Sequence, residues 1–544
     1  MKTKIKRINI IVFASTLLLF ACSESFLDTQ PRGVLSVDNF YKTDAQSAAG
    51  ALACYDLVQD QQFGIWQGSY LVRMILGDEA ITGGGGRGDQ PGYEELNEFN
   101  FGPNNPFMGQ VYAGCFRIIN RCNTLLTYIT DDSPAKKINI AEAKCLRALA
   151  NFELVTLWGG NASLVLNLLG PSEYQQAPGG EANFWTAIEK DLTEAAADLP
   201  LKSAYSAKDK YRVSKGFAQA LLGKAYLYQG KYVEAATIFE TVIGSGEFSL
   251  VPATTVADME SIFKIPQEFG RESLFEVSFS PSTNRDWGNF NWGNNRNNEN
   301  CVTWELMGAR GEYFSDLAPI GMSGGWGFGY PNPLVDTLFL REGPANNIRR
   351  KATLMSSAEL TAAGVTVGNG SGTLAYGFAG YIRVKYASWL SERGGPVGEL
   401  NYGTNLRYMR YADVLLMAAE ANILKTSPDN TKARGYINLV RTRAGLGAAP
   451  ETDANLFTRI VKEREMELVF EGWRYLDLMR WIKNGKMTEA QVQTLMDACI
   501  PYLPKGAGNV PYRKAWQAKY KLLAIPEQEM LTNPNAAQNE GYNN

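Results

Sequence analysis

Residues 214–244 carry the pattern that most restricts the fold of this chain. The segment reads SKGFAQALLGKAYLYQGKYVEAATIFETVIG, with apolar residues at the spacing of two short amphipathic helices. Gly223 is small where the two helices would approach each other closely, and Gly230 is placed to turn the chain. Tyr226 and Phe239 would fill the seam between the helices. The segment therefore predicts a helix–turn–helix pair.

The intervals within this pair are those of a tetratricopeptide repeat. Five residues follow the pattern LG-x2-Y-x8-A-x3-F: Leu222, Gly223, Tyr226, Ala235 and Phe239. A generic helical hairpin is the alternative interpretation. A looser copy lies at 407–446, with Ala433 and Ile437 at the positions of the Ala and the Phe. Since a single repeat cannot bury its own apolar face, the two pairs should stack across the intervening chain.

Helical spacing of apolar residues recurs along much of the sequence. It predicts further helices at 44–58, 106–129, 141–158, 184–199, 411–425, 430–443 and 459–482. Together with the repeat pattern, these segments indicate a mostly α fold. We expect tetratricopeptide-like helical pairs that form a right-handed superhelical scaffold, with long loop-rich inserts and few short strands.

The first 21 residues have the parts of an export signal. A basic start precedes an apolar run from Ile8 to Ala21, which is shorter than the roughly 20 residues that a membrane-spanning helix needs. The run ends in Leu19-Phe20-Ala21-Cys22, which is similar to a bacterial lipobox. We therefore expect cleavage after residue 21 and lipidation of Cys22. An ordinary signal peptide followed by an incidental cysteine is the alternative.

The chain contains no histidine. This excludes the Ser-His-Asp triad, the Cys-His pair and the HExxH zinc site, and leaves only carboxylates, Lys, Tyr or Cys for acid–base chemistry. Lys plus Arg number 53 and Asp plus Glu number 56, so the net charge is −3. Because no overall basic field is present to attract a polyanion, we expect no nucleic acid partner.

Six cysteines follow Cys22, and none of them forms a CxxC pair: Cys54, Cys115, Cys122, Cys145, Cys301 and Cys499. Zinc and redox motifs are therefore unsupported, and we expect neither a metal nor a cofactor. Export permits disulfides. Cys115 and Cys122 would lie about 10 Å apart on one helix, too far for a disulfide. Buried free thiols are the simpler interpretation.

The segment 280–333 differs in composition from the helical segments. It holds four of the 11 tryptophans of the chain, and its end, 324–330, alternates glycine with aromatic residues. Such glycine and asparagine density disfavours regular structure, and long loops in compact domains are often functional. A second glycine row, 83–86, lacks the Gly-Lys-Ser of a phosphate loop, so we predict a flexible surface loop there.

Several stretches of the second half are similar to those of one protein family. They are RYADVLLMAAEA at 410–421, NLVRTRAGL at 438–446, ERxxELxFEGxRxxDLxRW at 463–481, LAIPEQE at 523–529 and QNEGY at 538–542. Near the start, FLD at 26–28 also fits. In these stretches the chain resembles the SusD/RagB family of outer-membrane lipoproteins of Bacteroidetes. Ala524 and Glu540 stand where the family usually or often has proline.

The resemblance implies a cell-surface lipoprotein, lipid-anchored in the outer membrane, that acts as the partner of a SusC-like TonB-dependent transporter. Such pairs take up glycans in many members and peptides in some. It divides the mature chain into a SusD-like N-terminal region, 22–250, and a RagB/SusD C-terminal region, 251–544, with a loop-rich insert at 280–400. We expect an oligosaccharide ligand and no catalysis, with a peptide ligand as the alternative.

The loop aromatics are the expected binding surface. The apolar faces of a sugar pack on Trp or Tyr, and its hydroxyl groups need planar donors and acceptors, which Asn and Arg supply. The family's ligand sites are similarly aromatic and loop-borne. The candidate ligand-binding residues are Trp66, Trp287, Trp292, Asn294, Asn295, Arg296, Trp326 and Tyr330. The alternative is that the tryptophans form the core of the loop.

The charged residues of 463–481 alternate in sign at spacings of three and four, which indicates ion pairs within and between helices. A glycosidase that works without histidine would need two carboxylates on either side of a sugar bond. Glu467 and Glu471 could lie on one helix face at such a spacing. Adjacent arginines would keep both ionised, so we expect a structural role and treat catalysis as the second alternative.

Overall fold

The computed structural model describes residues 40–63, 68–282, 284–288 and 301–542, and these residues form a mostly helical protein. The helices of the first half are α1 Asp44–Phe63, α2 Ser69–Leu76, α3 Pro91–Asn97, α4 Pro106–Tyr128, α5 Pro134–Trp158, α6 Glu181–Asp198, α7 Lys215–Tyr228, α8 Tyr232–Gly244 and α9 Val256–Ser261. The prediction of a mostly α fold is confirmed.

Short helices and long connections fill the middle of the chain, and longer helices return after residue 410. The helices of the second half are α10 Thr303–Met307, α11 Pro333–Glu342, α12 Ile348–Lys351, α13 Ser357–Ala362, α14 Tyr411–Leu424, α15 Asn430–Arg443, α16 Leu456–Leu468, α17 Arg474–Lys483, α18 Glu489–Asp497 and α19 Glu527–Thr532.

The strands are short and pair two by two. They are β1 Ala80–Ile81, β2 Ser273–Val277, β3 Tyr330–Pro331, β4 Leu354–Ser356, β5 Tyr381–Arg383 and β6 Leu406–Arg410. The pairs β1–β3, β2–β6 and β4–β5 are antiparallel. Two of them join segments that are distant in sequence. The pair β1–β3 links the two predicted regions, and the boundary after residue 250 stays a prediction.

The repeat-like segment folds as α7 and α8. A Cβ atom on Gly223 would lie 2.7 Å from the side chains of Ile238 and Phe239, so the close approach of the two helices needs glycine. Gly230 turns the chain with φ 73°. Ala235 and Phe239 are fully buried in the seam. The predicted helix–turn–helix pair is confirmed.

The second pair, α14 and α15, packs directly on the first. Helices α5, α6, α7, α8, α14 and α15 contact one another in that order, and α16 packs on α14 and α15. The apolar face of α8 is therefore covered by α14, from a segment about 170 residues further along the chain. This contact is the stacking across the intervening chain that the repeat pattern predicts.

The prediction of a single helix at 459–482 is wrong. This segment is divided into α16 and α17, because Phe470 and Gly472 have φ values of 61° and 77°. The ammonium group of Lys385 donates to the carbonyl oxygen of Val469 at 3.0 Å, and the hydroxyl of Tyr70 donates to that of Phe470 at 2.6 Å. Buried donors from distant segments thus satisfy carbonyl groups that a continuous helix would have used itself.

The six cysteines after Cys22 are all buried and free. Burial raises the pKa of the Cys301 thiol to about 12, so this group is a neutral thiol at physiological pH. The interpretation as buried thiols is confirmed for the described residues. No helix in that part of the chain has the length and apolar character needed to cross a bilayer.

Candidate ligand-binding site

The glycine-rich segment 324–329 is an ordered strand-like layer against the end of α10. The backbone N–H of Trp326 donates to the carbonyl of Glu305 at 2.9 Å, and that of Gly327 donates to Gly308 at 2.8 Å. A Cβ atom on Gly325 would lie 2.4 Å from the carbonyl oxygen of Glu305. The glycines therefore allow two backbones to lie in contact, and this contact fixes the position of Trp326.

The side chains of Trp287 and Trp326 form a pair at the surface. Their ring centroids are 6.4 Å apart and their planes are inclined by 30°. Trp287 is 49% exposed, and Trp326 is half-buried against a small apolar cluster that includes Val302 and Leu400. We call Trp287 and Trp326 the aromatic pair. It presents two large apolar ring systems on one loop surface.

A carboxylate fixes the outer ring of the aromatic pair. The indole N–H of Trp287 donates to Glu399 Oε1 at 3.0 Å. The amide of Asn401 donates to the carbonyl of Arg285 at 2.9 Å and holds the backbone just before this tryptophan. The hydrogen bond from its indole N–H therefore holds the ring of Trp287 at its edge.

Polar groups lie beside the backbone of Trp326. Arg310 Nη1 donates to the carbonyl of Trp326 at 3.2 Å and lies 3.9 Å from Asp89 Oδ2. The same carboxylate accepts from the backbone N–H of Gly85 at 2.6 Å. Arg310 also pairs with Glu312 at 3.2 Å. A guanidinium and two carboxylates thus form a polar edge beside the backbone of Trp326, and such planar hydrogen-bonding groups can meet hydroxyl groups of a ligand.

The glycine row 83–86 lies next to this edge, and the prediction of a flexible surface loop is wrong for its first half. Gly83 and Gly84 are buried, and a Cβ atom on Gly83 would lie 2.2 Å from the carbonyl oxygen of Gly327. Only from Gly85 onward does the segment reach the surface. The row brings Asp89 to Arg310, a contact that neither motif nor spacing indicates.

Tyr330 does not lie in the aromatic pair. It is 1% exposed, its ring packs edge-on against Phe378, and its hydroxyl accepts from the backbone N–H of Arg310 at 3.0 Å. Burial raises its pKa above the ordinary range. The side chain supports the loop from its buried side.

The remaining sequence-predicted ligand residues lie outside the described residues. They are Trp66, Trp292, Asn294, Asn295 and Arg296. Their participation stays a prediction. Of the eight candidates, the structure brings together Trp287 and Trp326. Sequence reasoning missed Arg310, Asp89 and Glu399, since single charged residues in loops carry no periodic or motif signal.

The motif carboxylates of 463–481 are buried in ion pairs. Glu467 accepts from Arg410 at 2.7 Å and from Arg349 at 3.0 Å, and it also pairs with Arg443. Burial opposes ionisation of this carboxyl, but the guanidinium groups outweigh it and lower the pKa. Glu471 pairs with Arg410 and Lys385 at 2.7 and 2.8 Å. These carboxylates join the helices of the core, as their alternating charge pattern predicts.

A separate groove of about 660 Å³ lies between α1 and the outer edge of β2. A peptide could add to such an edge only through its main-chain groups. However, the ammonium group of Lys202 donates to the carbonyl of Ser273, and the amide of Gln59 donates to that of Ser278 at 2.6 Å. Side chains of the protein thus already occupy carbonyl groups that a docked peptide strand would need.

Comparison with known proteins gives consistent matches. A family model described as the SusD family matches residues 271–542. SusD-like protein P2 of Formosa agariphila is 27% identical, over 99% of this chain and 100% of that protein. Two solved structures share the architecture. A laminarin binding SusD-like protein has a TM-score of 0.74 and 29% identity, with 92% of this chain and 100% of that chain covered. Surface glycan-binding protein A from Bacteroides uniformis has a TM-score of 0.73 and 25% identity, with 91% and 99% covered.

Proposed function

This chain belongs to the SusD family, and on that premise we propose that it captures oligosaccharide at the cell surface through the aromatic pair. The supporting observation is the placement of Trp287 and Trp326 side by side on a loop surface, with ring centroids 6.4 Å apart and planes inclined by 30°. Apolar C–H faces of successive sugar units can pack on rings held in this way.

The polar edge supports the same assignment. Glu399 is an acceptor at the ring edge of Trp287, and Arg310 with Asp89 lies beside the backbone of Trp326. A sugar hydroxyl both donates and accepts, so it can pair with a guanidinium and a carboxylate at the same time. The site includes these three residues with the aromatic pair. Trp66, Trp292, Asn294, Asn295 and Arg296 stay predicted members of it.

Laminarin is the first ligand to test. The chain is 29% identical over 92% of its length to a solved structure described as a laminarin binding SusD-like protein. Binding energy at such a site comes from ring stacking and from hydroxyl contacts, so related β-glucan oligosaccharides form the natural comparison panel.

The protein delivers its ligand to a SusC-like TonB-dependent transporter in the outer membrane. The lipobox-like Leu19-Phe20-Ala21-Cys22 supports a surface-facing lipid anchor at Cys22. Several acyl chains on this one residue would hold the protein stably at the membrane. Co-purification of the wild-type protein with the transporter from detergent-solubilised outer membranes tests this assignment.

The protein binds its ligand without cleaving it. The sequence has no histidine, and the carboxylates of its most charged helical motif are buried in ion pairs with arginine. A glycosidase needs one carboxyl that stays protonated and one that is ionised, both in contact with the sugar. Glu467 is held ionised and away from the surface, which is unsuitable for either role.

Isothermal titration calorimetry with laminarin oligosaccharides, other glucans and a peptide panel tests the proposal. Binding of a glycan that is lost in Trp287→Ala, together with no release of reducing ends, supports it. Binding of peptides alone would replace the proposal with the peptide alternative. Tyr174→Ala is a matched control, since this ring is 64% exposed and belongs to a distant loop.

A further inference from the structure

Glu305 lies in α10, beside the segment of Trp326, and is 2% exposed. The main-chain carbonyl oxygen of Glu305 accepts the backbone N–H of Trp326 at 2.9 Å and so helps to fix the position of that ring. Its side chain reaches in another direction, where Oε2 accepts the hydroxyl of Tyr402 at 2.9 Å. One residue therefore contacts both the segment of Trp326 and a second segment of the loop region.

The second segment holds the other ring. Tyr402 follows Asn401, whose side-chain amide donates to the carbonyl of Arg285, two residues before Trp287. Glu399, three residues before Tyr402, accepts the indole N–H of Trp287 at 3.0 Å. The hydrogen bond between Tyr402 and Glu305 thus ties the support of one ring to the support of the other.

Ser323 completes this buried polar cluster. Its hydroxyl lies 2.9 Å from the hydroxyl of Tyr402 and 3.5 Å from Glu305 Oε2. It is three residues before Trp326, and its backbone N–H donates to the carbonyl of Ser388 at 2.9 Å. Tyr402 donates to the Glu305 carboxyl, and the hydroxyl of Ser323 supplies the second proton of this cluster, so the carboxyl is its acceptor.

The surroundings of Glu305 favour its neutral form. In the part of the chain that the structure describes, no Lys or Arg is within ion-pair distance of its carboxyl. Burial raises the pKa of this carboxyl to about 8, in spite of the hydrogen bond from Tyr402. The charged groups that act on it from neighbouring segments are Glu399, which raises the pKa further, and Arg393, which lowers it.

We propose that the protonated carboxyl of Glu305 is a positioning group that holds Trp287 and Trp326 in binding geometry through Tyr402 and Ser323, and that its ionisation in mildly alkaline solution weakens ligand binding. The proposal rests on the proposed function for the ligand, but the positioning of the rings is independent of any ligand. An ionised Glu305 would be a buried charge without a cation at ion-pair distance, which is unfavourable. The cluster would then rearrange or admit water.

The test is a pH series of laminarin-oligosaccharide binding from pH 6 to pH 9. We expect the Kd of the wild-type protein to rise about tenfold between pH 7 and pH 9, because only the neutral form binds well. Glu305→Gln should bind with a Kd that changes less than about twofold over the same range. Glu142→Gln is the control, since Glu142 is also buried, with a pKa of about 7, but lies in α5.

Near-ultraviolet circular dichroism gives a readout that needs no ligand. The signal of the aromatic pair should change with a midpoint near pH 8 in the wild-type protein, and not in Glu305→Gln or Trp326→Phe. Tyr402→Phe removes a hydrogen bond that lowers the pKa of Glu305, so its midpoint should move to higher pH.

A wild-type spectrum that does not titrate, or a titration that Glu305→Gln retains, overturns the proposal. If the spectrum titrates as expected but no glycan binds at any pH, the positioning role stands and the glycan assignment fails. If Glu305→Gln does not fold, the direction of the midpoint shift in Tyr402→Phe decides the question alone.

Discussion

The ring centroids of Trp287 and Trp326 lie 6.4 Å apart, although 38 residues separate the two tryptophans in the sequence. Each ring is fixed by a different kind of contact. Trp287 is held at its edge by Glu399, whereas Trp326 is held by its backbone on α10. This difference predicts different consequences when either ring is removed.

Trp287→Ala should weaken glycan binding by about 1–3 kcal/mol and change the stability little, because the ring is half exposed. Trp326→Ala should weaken binding by a similar amount and also lower the free energy of unfolding by about 1–3 kcal/mol, since this ring covers Val302 and Leu400. Calorimetric affinity and urea unfolding of each variant check both values. Retained affinity in both variants would show that the ligand binds elsewhere.

Gly325→Ala should distort the support of Trp326. The added Cβ would lie 2.4 Å from the carbonyl of Glu305, so the two backbones must separate and break the hydrogen bond from Trp326. We expect a loss of about 1–3 kcal/mol in stability and a weaker affinity. Gly86→Ala is the matched control, because nothing lies within 4 Å of its added Cβ. Equal behaviour of the two variants in thermal melts would refute this account of the glycine-rich segment.

Much of the scaffold could be predicted from the sequence, because its signals are local. The spacing around Gly223 and Phe239 predicts the pair α7 and α8, and the predicted helix at 430–443 has the observed bounds. The break between α16 and α17 could not be predicted in this way. Phe470 has a positive φ because Tyr70 and Lys385, which are far away in sequence, satisfy the local backbone.

The site could be predicted only in part, for the same physical reason. Clustered tryptophans and glycines point to the segment 280–333, but they do not distinguish Trp326 at the surface from Tyr330 in the core. That distinction depends on the backbone contact with α10. The contact of Arg310 with Asp89 joins loops more than 200 residues apart, and neither residue belongs to a motif.

Arg410→Met should destabilise the core strongly. Its guanidinium pairs with Glu467, Glu471 and Glu272 at 2.7–2.8 Å, and all four groups are buried. Removing the cation leaves buried carboxylates without a main partner, which costs about 3–5 kcal/mol. Arg434→Met is the control, because its pair with Asp453 lies at the surface and is worth less than about 1 kcal/mol. Chemical denaturation of both variants measures the difference.

Stability should fall as the pH rises from 5 to 8, in part because of Glu268. Burial raises the pKa of this carboxyl to about 8, whereas in the unfolded chain it is near 4.5. Between these values the folded protein binds the proton more tightly than the unfolded chain does, so each rise in pH favours unfolding. Above pH 8 the contribution is constant.

Glu268→Gln should remove this part of the pH dependence. Its side-chain carbonyl can still accept from the backbone N–H of Asn405, which donates to Glu268 Oε1 at 2.7 Å. Between pH 5 and pH 8 we expect the wild-type protein to lose on the order of 2 kcal/mol relative to the variant. Parallel slopes of the two proteins in a series of melting temperatures would contradict the assignment.

Cys22→Ala should release the protein from the outer membrane. We expect this because the cysteine lies at the end of Leu19-Phe20-Ala21-Cys22, directly after an apolar run that is too short to cross a bilayer. A single acyl chain binds a membrane only weakly, so stable anchoring needs several chains at this one residue. In the variant the radiolabelled palmitate signal should disappear, and the protein should move from the membrane fraction to the soluble fraction. Cys54→Ala is the control, because Cys54 is a buried thiol in α1 and should leave labelling unchanged. If the Cys22→Ala variant still takes up label and sediments with the outer membrane, another residue carries the anchor.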